Sequence, residues 1–138
     1  MPVSAELTEG AGTAVMAESL YLVNLLVVPV LGFVLLLGLW WRRREDAPPL
    51  AAAHLAQTLS ASLWAGFLLV FANALILVLG GYDGAWVWTI VITYFTVCHS
   101  VLVVFGALGL ARAMAGQCWR YPLVGRPLPP GCATGTAG

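Results

Sequence analysis

The apolar positions of this chain fall in three long runs, not in the three-or-four-residue rhythm of a helix with one wet face. Across residues 20–41, 59–79 and 85–111 nearly every side chain is apolar or small, and the charged residues gather outside the runs. A helix that is apolar all round belongs in a core or a bilayer. At roughly 1.5 Å per residue, each run is long enough for a hydrocarbon core of about 30 Å. The pattern predicts an all-α integral membrane protein, a bundle of three transmembrane helices with spans at about 20–41, 59–79 and 85–111.

The polar punctuation sharpens this picture. Residues 1–19 carry Glu6, Glu9 and Glu18 with no basic residue, and read as a flexible extracytoplasmic tail. A secretory signal would need a basic start and a small-residue cleavage site after its apolar core. Here the first run ends instead in Trp40, Trp41, Arg42, Arg43 and Arg44, an aromatic anchor with a stop-transfer cluster. Pro29 and Gly32 lie inside that run and predict a kink, because proline removes a backbone donor. Pro48 and Pro49 suit a helix start. The alanine-rich residues 50–58 read as an interfacial N-terminal extension of the second span. Residues 80–84, Gly-Gly-Tyr-Asp-Gly, read as a tight turn. The spans and their connections make a transmembrane domain over 20–116, followed by a cytoplasmic interfacial motif and disordered tail over 117–138.

Composition agrees with a lipid-facing chain. Hydrophobic residues make up 61% and charged residues 9%, against about 25% charged in an average soluble domain. All six basic residues are arginines: Arg42, Arg43, Arg44, Arg112, Arg120 and Arg126. No basic tract offers a footprint for nucleic acid. With three spans, every arginine falls on one side, and Glu6, Glu9, Glu18 and Asp83 on the other. The positive-inside rule then puts the N-terminus outside and the C-terminus in the cytoplasm of a bacterial inner membrane. Cys98 lies in the third span. Cys118 and Cys132 fall on the cytoplasmic side, where thiols stay reduced, so a disulfide is not expected, and the three cysteines show no metal-ligand spacing such as C-x-x-C.

Few residues invite chemistry. His99 lies about halfway along the third span, where ionisable groups are costly and commonly functional. It could ligate haem or a metal with a partner or second copy, or serve a proton path; the plainer reading is a neutral histidine packed against a neighbouring helix. His54 sits on the order of 15–20 Å away along the membrane normal, too far to share one cofactor with His99. It reads as a headgroup or loop contact beside Gln57. Thr58, Ser62, Gly66 and Asn73 share a face of the second span, and Thr89, Thr93, Thr96 and Ser100 a face of the third. Gly106 and Gly109 keep the third helix narrow further along. Small and hydroxyl side chains let helices approach in lipid, so these are expected helix-packing residues. Asn24 and Asn73, both toward the outer leaflet, are expected to pair. Trp86 and Trp88 join Trp40, Trp41 and the three adjacent arginines as interface anchors. No paired carboxylates, nucleophile elbow or phosphate loop appears, and no enzyme is expected.

The stretch from Gly109 to Leu123 carries a resemblance. Ala113, Gly116 and then Trp119, Arg120, Tyr121, Pro122 and Leu123 resemble the end of a widespread family of small bacterial multi-pass membrane proteins. That family is distantly similar to chloroplast inner-envelope protein-import channel proteins. The resemblance implies a topology, and no mechanism. Physically, Gly116 can close the helix, Trp119 and Tyr121 can anchor at headgroup depth, and Arg120 can meet lipid phosphate. The sequence thus predicts a small non-enzymatic inner-membrane protein without cofactor, an accessory or scaffold subunit in the lipid bilayer with a membrane-protein partner. The alternatives are a homo-oligomeric channel or translocation-type pore, and a haem-binding subunit through His99.

Overall fold

A computed structural model describes residues 9–132, and the expected tails at 1–8 and 133–138 lie outside the described residues. Four helices follow in order: α1 (Ala11–Leu26), α2 (Leu31–Arg43), α3 (Pro49–Val78) and α4 (Val87–Met114). α3 and α4, with 30 and 28 residues, are long and apolar enough to cross a membrane. They correspond to the second and third expected spans. Pro49 stands in the first turn of α3, as its missing N–H allows. Gly116 takes a left-handed φ of 68° just past α4, and the Gln117 N–H reaches the Arg112 carbonyl at 2.9 Å, closing the helix end as expected.

The first expected span is not one helix. Its residues are divided between α1, 16 residues, and α2, 13 residues, roughly 24 and 20 Å long, each too short to cross about 30 Å of hydrocarbon. The break lies at Pro29, where a kink was expected and a reversal occurs. Pro29 offers no N–H, and Val30 sits at a φ of 72°, a region that β-branched residues rarely enter. The Asn24 side-chain oxygen accepts the Val30 N–H at 3.2 Å and holds this turn. It does not pair with Asn73, whose amide donates to the Leu69 carbonyl and accepts from the Tyr82 hydroxyl. Gly32 lies so close to α1 that a Cβ there would stand 2.6 Å from the Asn24 backbone nitrogen. Only glycine permits this approach, and α2 runs back along α1 as the second arm of a hairpin.

The hairpin packs against one end of the α3–α4 pair. A Cβ at Gly10, before α1, would lie 3.0 Å from Ala51 and 3.2 Å from Pro48, while Ala14 packs with Leu50 and Ala113. Further along, a Cβ at Gly106 of α4 would meet the Tyr21 ring at 2.7 Å. α1 therefore starts beside the start of α3 and the end of α4. Residues 11–19, expected in a flexible tail, are its first turns, with Ala14, Ala17 and Glu18 buried. The core is Ala17, Tyr21, Leu36, Leu55, Ala61 and Tyr121. Residues 50–58, expected at an interface, are largely interior: Leu50, Ala51, Ala53, His54, Leu55, Gln57 and Thr58 are buried. The far halves of α3 and α4 are bare by contrast, with Val78 at 82% and Ile92 at 62% exposure. Apolar side chains so displayed suit lipid as their solvent.

Candidate functional site: a buried acid, histidine and tyrosine

Three elements bring one ionisable side chain each to a common point. Glu18 comes from α1, His54 from the second turn of α3, and Tyr121 from the segment after α4. Glu18 and His54 have no solvent exposure, and Tyr121 has 1%. The spacing of Ala14, Ala17, Glu18 and Tyr21 sets them on one face of α1, and His54 and Gln57 share a face of α3 by the same rule. Gly109 of α4 completes the chamber. A Cβ there would stand 2.5 Å from the Glu18 carboxylate, so the carboxylate occupies the space a side chain would fill.

Hydrogen-bond chemistry fixes where the protons are. His54 Nε2 lies 2.9 Å from the Gln117 carbonyl oxygen. A carbonyl only accepts, so Nε2 carries a proton. His54 Nδ1 lies 2.6 Å from Glu18 Oε1, and one more proton sits between them, on either atom. The Tyr121 hydroxyl donates to the other oxygen, Glu18 Oε2. With these protons the Glu18–His54 pair is net neutral, the tolerable state for two ionisable groups sealed from water. Burial first, and then the Glu18 charge and hydrogen bond, push the Tyr121 phenol well above its ordinary range, so it remains a donor. Its ring stands edge-on to Tyr21 at 5.7 Å and packs on Phe105 and Trp119. Tyr21 in turn donates to the Leu102 carbonyl at 3.0 Å, across the hairpin–α4 boundary.

One turn along α3, Gln57 holds the segment that delivers Tyr121. Its side-chain oxygen accepts the Tyr121 and Arg126 N–H groups at 3.2 and 3.0 Å, and its amide donates to the Arg126 carbonyl at 2.7 Å. Ser60 donates to the Val124 carbonyl at 2.7 Å. Residues 117–132 thus form a strap along the first turns of α3. Cys118 and Cys132, expected as free thiols, close the strap in a disulfide across a separation of 14 residues. Their spacing in sequence did not signal the pair, because only the folded strap brings the two sulfurs together.

The expected packing residues divide. Gly106 and Gly109 are buried and receive α1, and Thr58 is buried with its hydroxyl on the His54 carbonyl at 2.7 Å. Ser62 is buried with no partner for its hydroxyl, and Gly66 has open space where a Cβ would stand. Asn73, Thr89, Thr93, Thr96 and Ser100 are exposed, so the hydroxyl face of α4 points away from the rest of the chain. Among the anchors, Trp41, Trp86, Trp88 and Arg120 are exposed, and Arg44 lies over the Trp41 ring at 3.9 Å. Arg42 and Arg43 close α2. Trp40 and Trp119 pack against the core, and Tyr121, expected at headgroup depth, is inside it. His99 stacks on Phe95 at 4.9 Å and borders an apolar cavity of about 800 Å³ with Asn24, Phe33, Tyr94 and Leu102. His54 has both ring nitrogens engaged elsewhere.

Glu18 is the residue that sequence reasoning misplaced, by assigning it to an outer tail. The available signal was its spacing among Ala14, Ala17 and Tyr21, a small-and-aromatic face interrupted by one acid. Among the described residues no group of three or more His, Cys, Asp or Glu side chains is arranged to hold a metal ion. The cluster is buried and joins α1, α3 and the strap. Comparisons with curated proteins and with solved structures gave no match. A family model does match, over residues 12–128, a range that takes in the hairpin, both long helices and most of the strap. The chain belongs to the magnetosome magnetite crystal formation protein family.

Proposed function

We propose that this protein is a non-enzymatic membrane subunit serving magnetite crystal formation, an accessory or scaffold component of the assembly in the magnetosome membrane. One observation carries this reading beyond family membership. The buried polar side chains Glu18, His54, Gln57 and Tyr121 join segments of the chain to each other, and a fully enclosed cluster cannot receive a substrate. What the protein offers to others is its outer surface: two long apolar helices and an arginine-bearing end.

Its orientation follows from the same frame. α3 and α4 cross the bilayer, and the α1–α2 hairpin enters from the arginine-bearing side and returns to it. Arg42, Arg43 and Arg44, Arg112, Arg120 and Arg126 then share one face with residues 9–10, and the turn around Asp83 is on the other. The positive-inside rule makes the arginine face cytoplasmic. This replaces three spans by two spans and a re-entrant hairpin, whose arms bury Ala14, Ala17, Tyr21 and Leu36 against the rest of the chain while its tip, residues 26–31, is exposed.

A second reading rests on the outward hydroxyl face of α4. Thr89, Thr93, Thr96 and Ser100 are exposed, and small hydroxyl residues favour close helix contact in lipid. A second copy on that face gives a homo-oligomer, the arrangement a pore would need. Purification in mild detergent, with mass spectrometry of co-eluting proteins, separates the readings. A stoichiometric membrane partner supports the accessory subunit. A uniform homo-oligomer that conducts ions in bilayers supports the pore and overturns the accessory role.

A further inference from the structure

The strap is held in two different ways. Its middle rests on hydrogen bonds to Gln57 and Ser60, and its beginning on the bond from His54 to the Gln117 carbonyl. Its two ends are joined covalently by Cys118 and Cys132. Cys132 is buried beside Pro49, whose ring would lie 2.8 Å from a Cβ at Gly131, whereas Cys118 is partly open to its surroundings. The bond lies on the end of the molecule that carries every arginine. That end is cytoplasmic by the charge rule, and cytoplasmic thiols are held reduced. A disulfide placed there is made and broken in service rather than set once on secretion.

We infer that Cys118–Cys132 is a reversible redox latch on the strap, a modification site for a dithiol-type reductant. The inference rests on the orientation proposed above. In opening, a thiolate of the reductant attacks the accessible Cys118 sulfur, and the Cys132 thiolate leaves and takes up a proton. The reductant's second thiol then attacks the mixed disulfide and releases the Cys118 thiol. Two electrons and two protons pass to the protein, and the reductant leaves as a disulfide. Closing is the reverse exchange, with a protein or small-molecule disulfide as oxidant. The consequence follows from what the strap covers. Tyr121 is both part of the ring closed by the disulfide and the lid over Glu18 and His54. Freeing the strap's ends loosens this lid and lets water reach the buried carboxylate–imidazole pair.

The test uses the full-length protein in membranes, with Cys98→Ser so that the pair alone reports. Trypsin can cut after Arg120, inside the strap, and proteolysis of a folded segment follows the population of its open form. Reduction with dithiothreitol is expected to raise the cleavage rate at Arg120 by about ten-fold, and reoxidation to restore it. Equal rates in the two states would overturn the latch, and no cysteine variant at the pair is needed to see them. A membrane-impermeant maleimide, applied to each side in turn, locates Cys118 after reduction. Labelling from the cytoplasmic side with equal cleavage rates would remove the latch alone; labelling from the opposite side would remove the orientation and the latch with it.

Discussion

His54 Nδ1 lies 2.6 Å from Glu18 Oε1, although 36 positions of chain separate them and both side chains are wholly buried. This contact ties the start of the hairpin to the start of α3, and Tyr121 adds the strap to the same carboxylate. Removing one member of a buried pair leaves the other uncompensated, at a cost of about 3–5 kcal/mol. Glu18→Ala is therefore expected to lower the thermal midpoint in detergent sharply. Glu18→Gln, which retains the shape and an acceptor, should lose visibly less. Equal losses for the two would show that the retained shape and acceptor count for nothing and that the carboxylate itself carries the contact.

Gln57 makes three bonds to the strap through one side-chain amide, and Gln57→Leu leaves two backbone N–H groups and a carbonyl without partners. Each such buried orphan costs about 1–3 kcal/mol, less where water can reach it. Hydrogen exchange at residues 121–126 is expected to speed up markedly in this variant, while exchange in the α4 backbone stays as it was. Unchanged protection at Tyr121 and Arg126 would contradict the clamp.

Glycine positions give a matched pair. A Cβ at Gly109 would press on the Glu18 carboxylate, whereas Gly66 has open space around it. Gly109→Ala is expected to destabilise by about 1–3 kcal/mol, as over-packed sites do. Gly66→Ala should be neutral or stabilising by about 0.5–1 kcal/mol through helix propensity. Thermal midpoints of the two purified variants give the comparison, and equal behaviour would mean the Gly109 contact is not tight.

Much of this fold was legible in the runs of apolar residues. α3 and α4 follow from long uninterrupted stretches, and the stops at Gly80–Gly81 and Gly116 from backbone freedom that glycine alone supplies cheaply. The hairpin was less visible because periodicity reports whether a stretch is apolar, and not whether its backbone reverses. Pro29 signalled a bend, but reversal also needed Asn24 to hold Val30 and Gly32 to admit α1, contacts within the turn that apolar periodicity does not report. The same holds for the site. His54 and Gln57 were noticed on sequence and read as interfacial, since nothing local reveals that the strap and α1 cover them. The disulfide was hidden for the opposite reason, because a compartment rule says nothing about two residues the fold brings together.

Tyr121 gives the pH dependence. An ordinary phenol titrates near pH 10, and burial with the adjacent carboxylate raises the folded value above that. The unfolded chain then loses its phenolic proton first. The stabilisation from Tyr121 is complete below about pH 10 and is lost as pH rises from there toward the folded value. Stability in detergent should decline above about pH 10. Tyr121→Phe should be less stable at neutral pH and show a shallower alkaline decline. An unchanged slope in that variant would place the titrating group elsewhere, with Tyr21, also facing Glu18, the next to examine.

The re-entrant hairpin is tested most directly by the sidedness of three single cysteines in a background with Cys98, Cys118 and Cys132 replaced by serine. Glu9→Cys precedes the hairpin, Arg44→Cys follows it, and Gly84→Cys marks the turn between α3 and α4. An impermeant maleimide is applied to right-side-out and inside-out vesicles. The two-span arrangement predicts that Glu9→Cys and Arg44→Cys label from the same side and Gly84→Cys from the other. If Glu9→Cys labels together with Gly84→Cys, the first apolar run crosses the membrane as a full span and the hairpin is wrong.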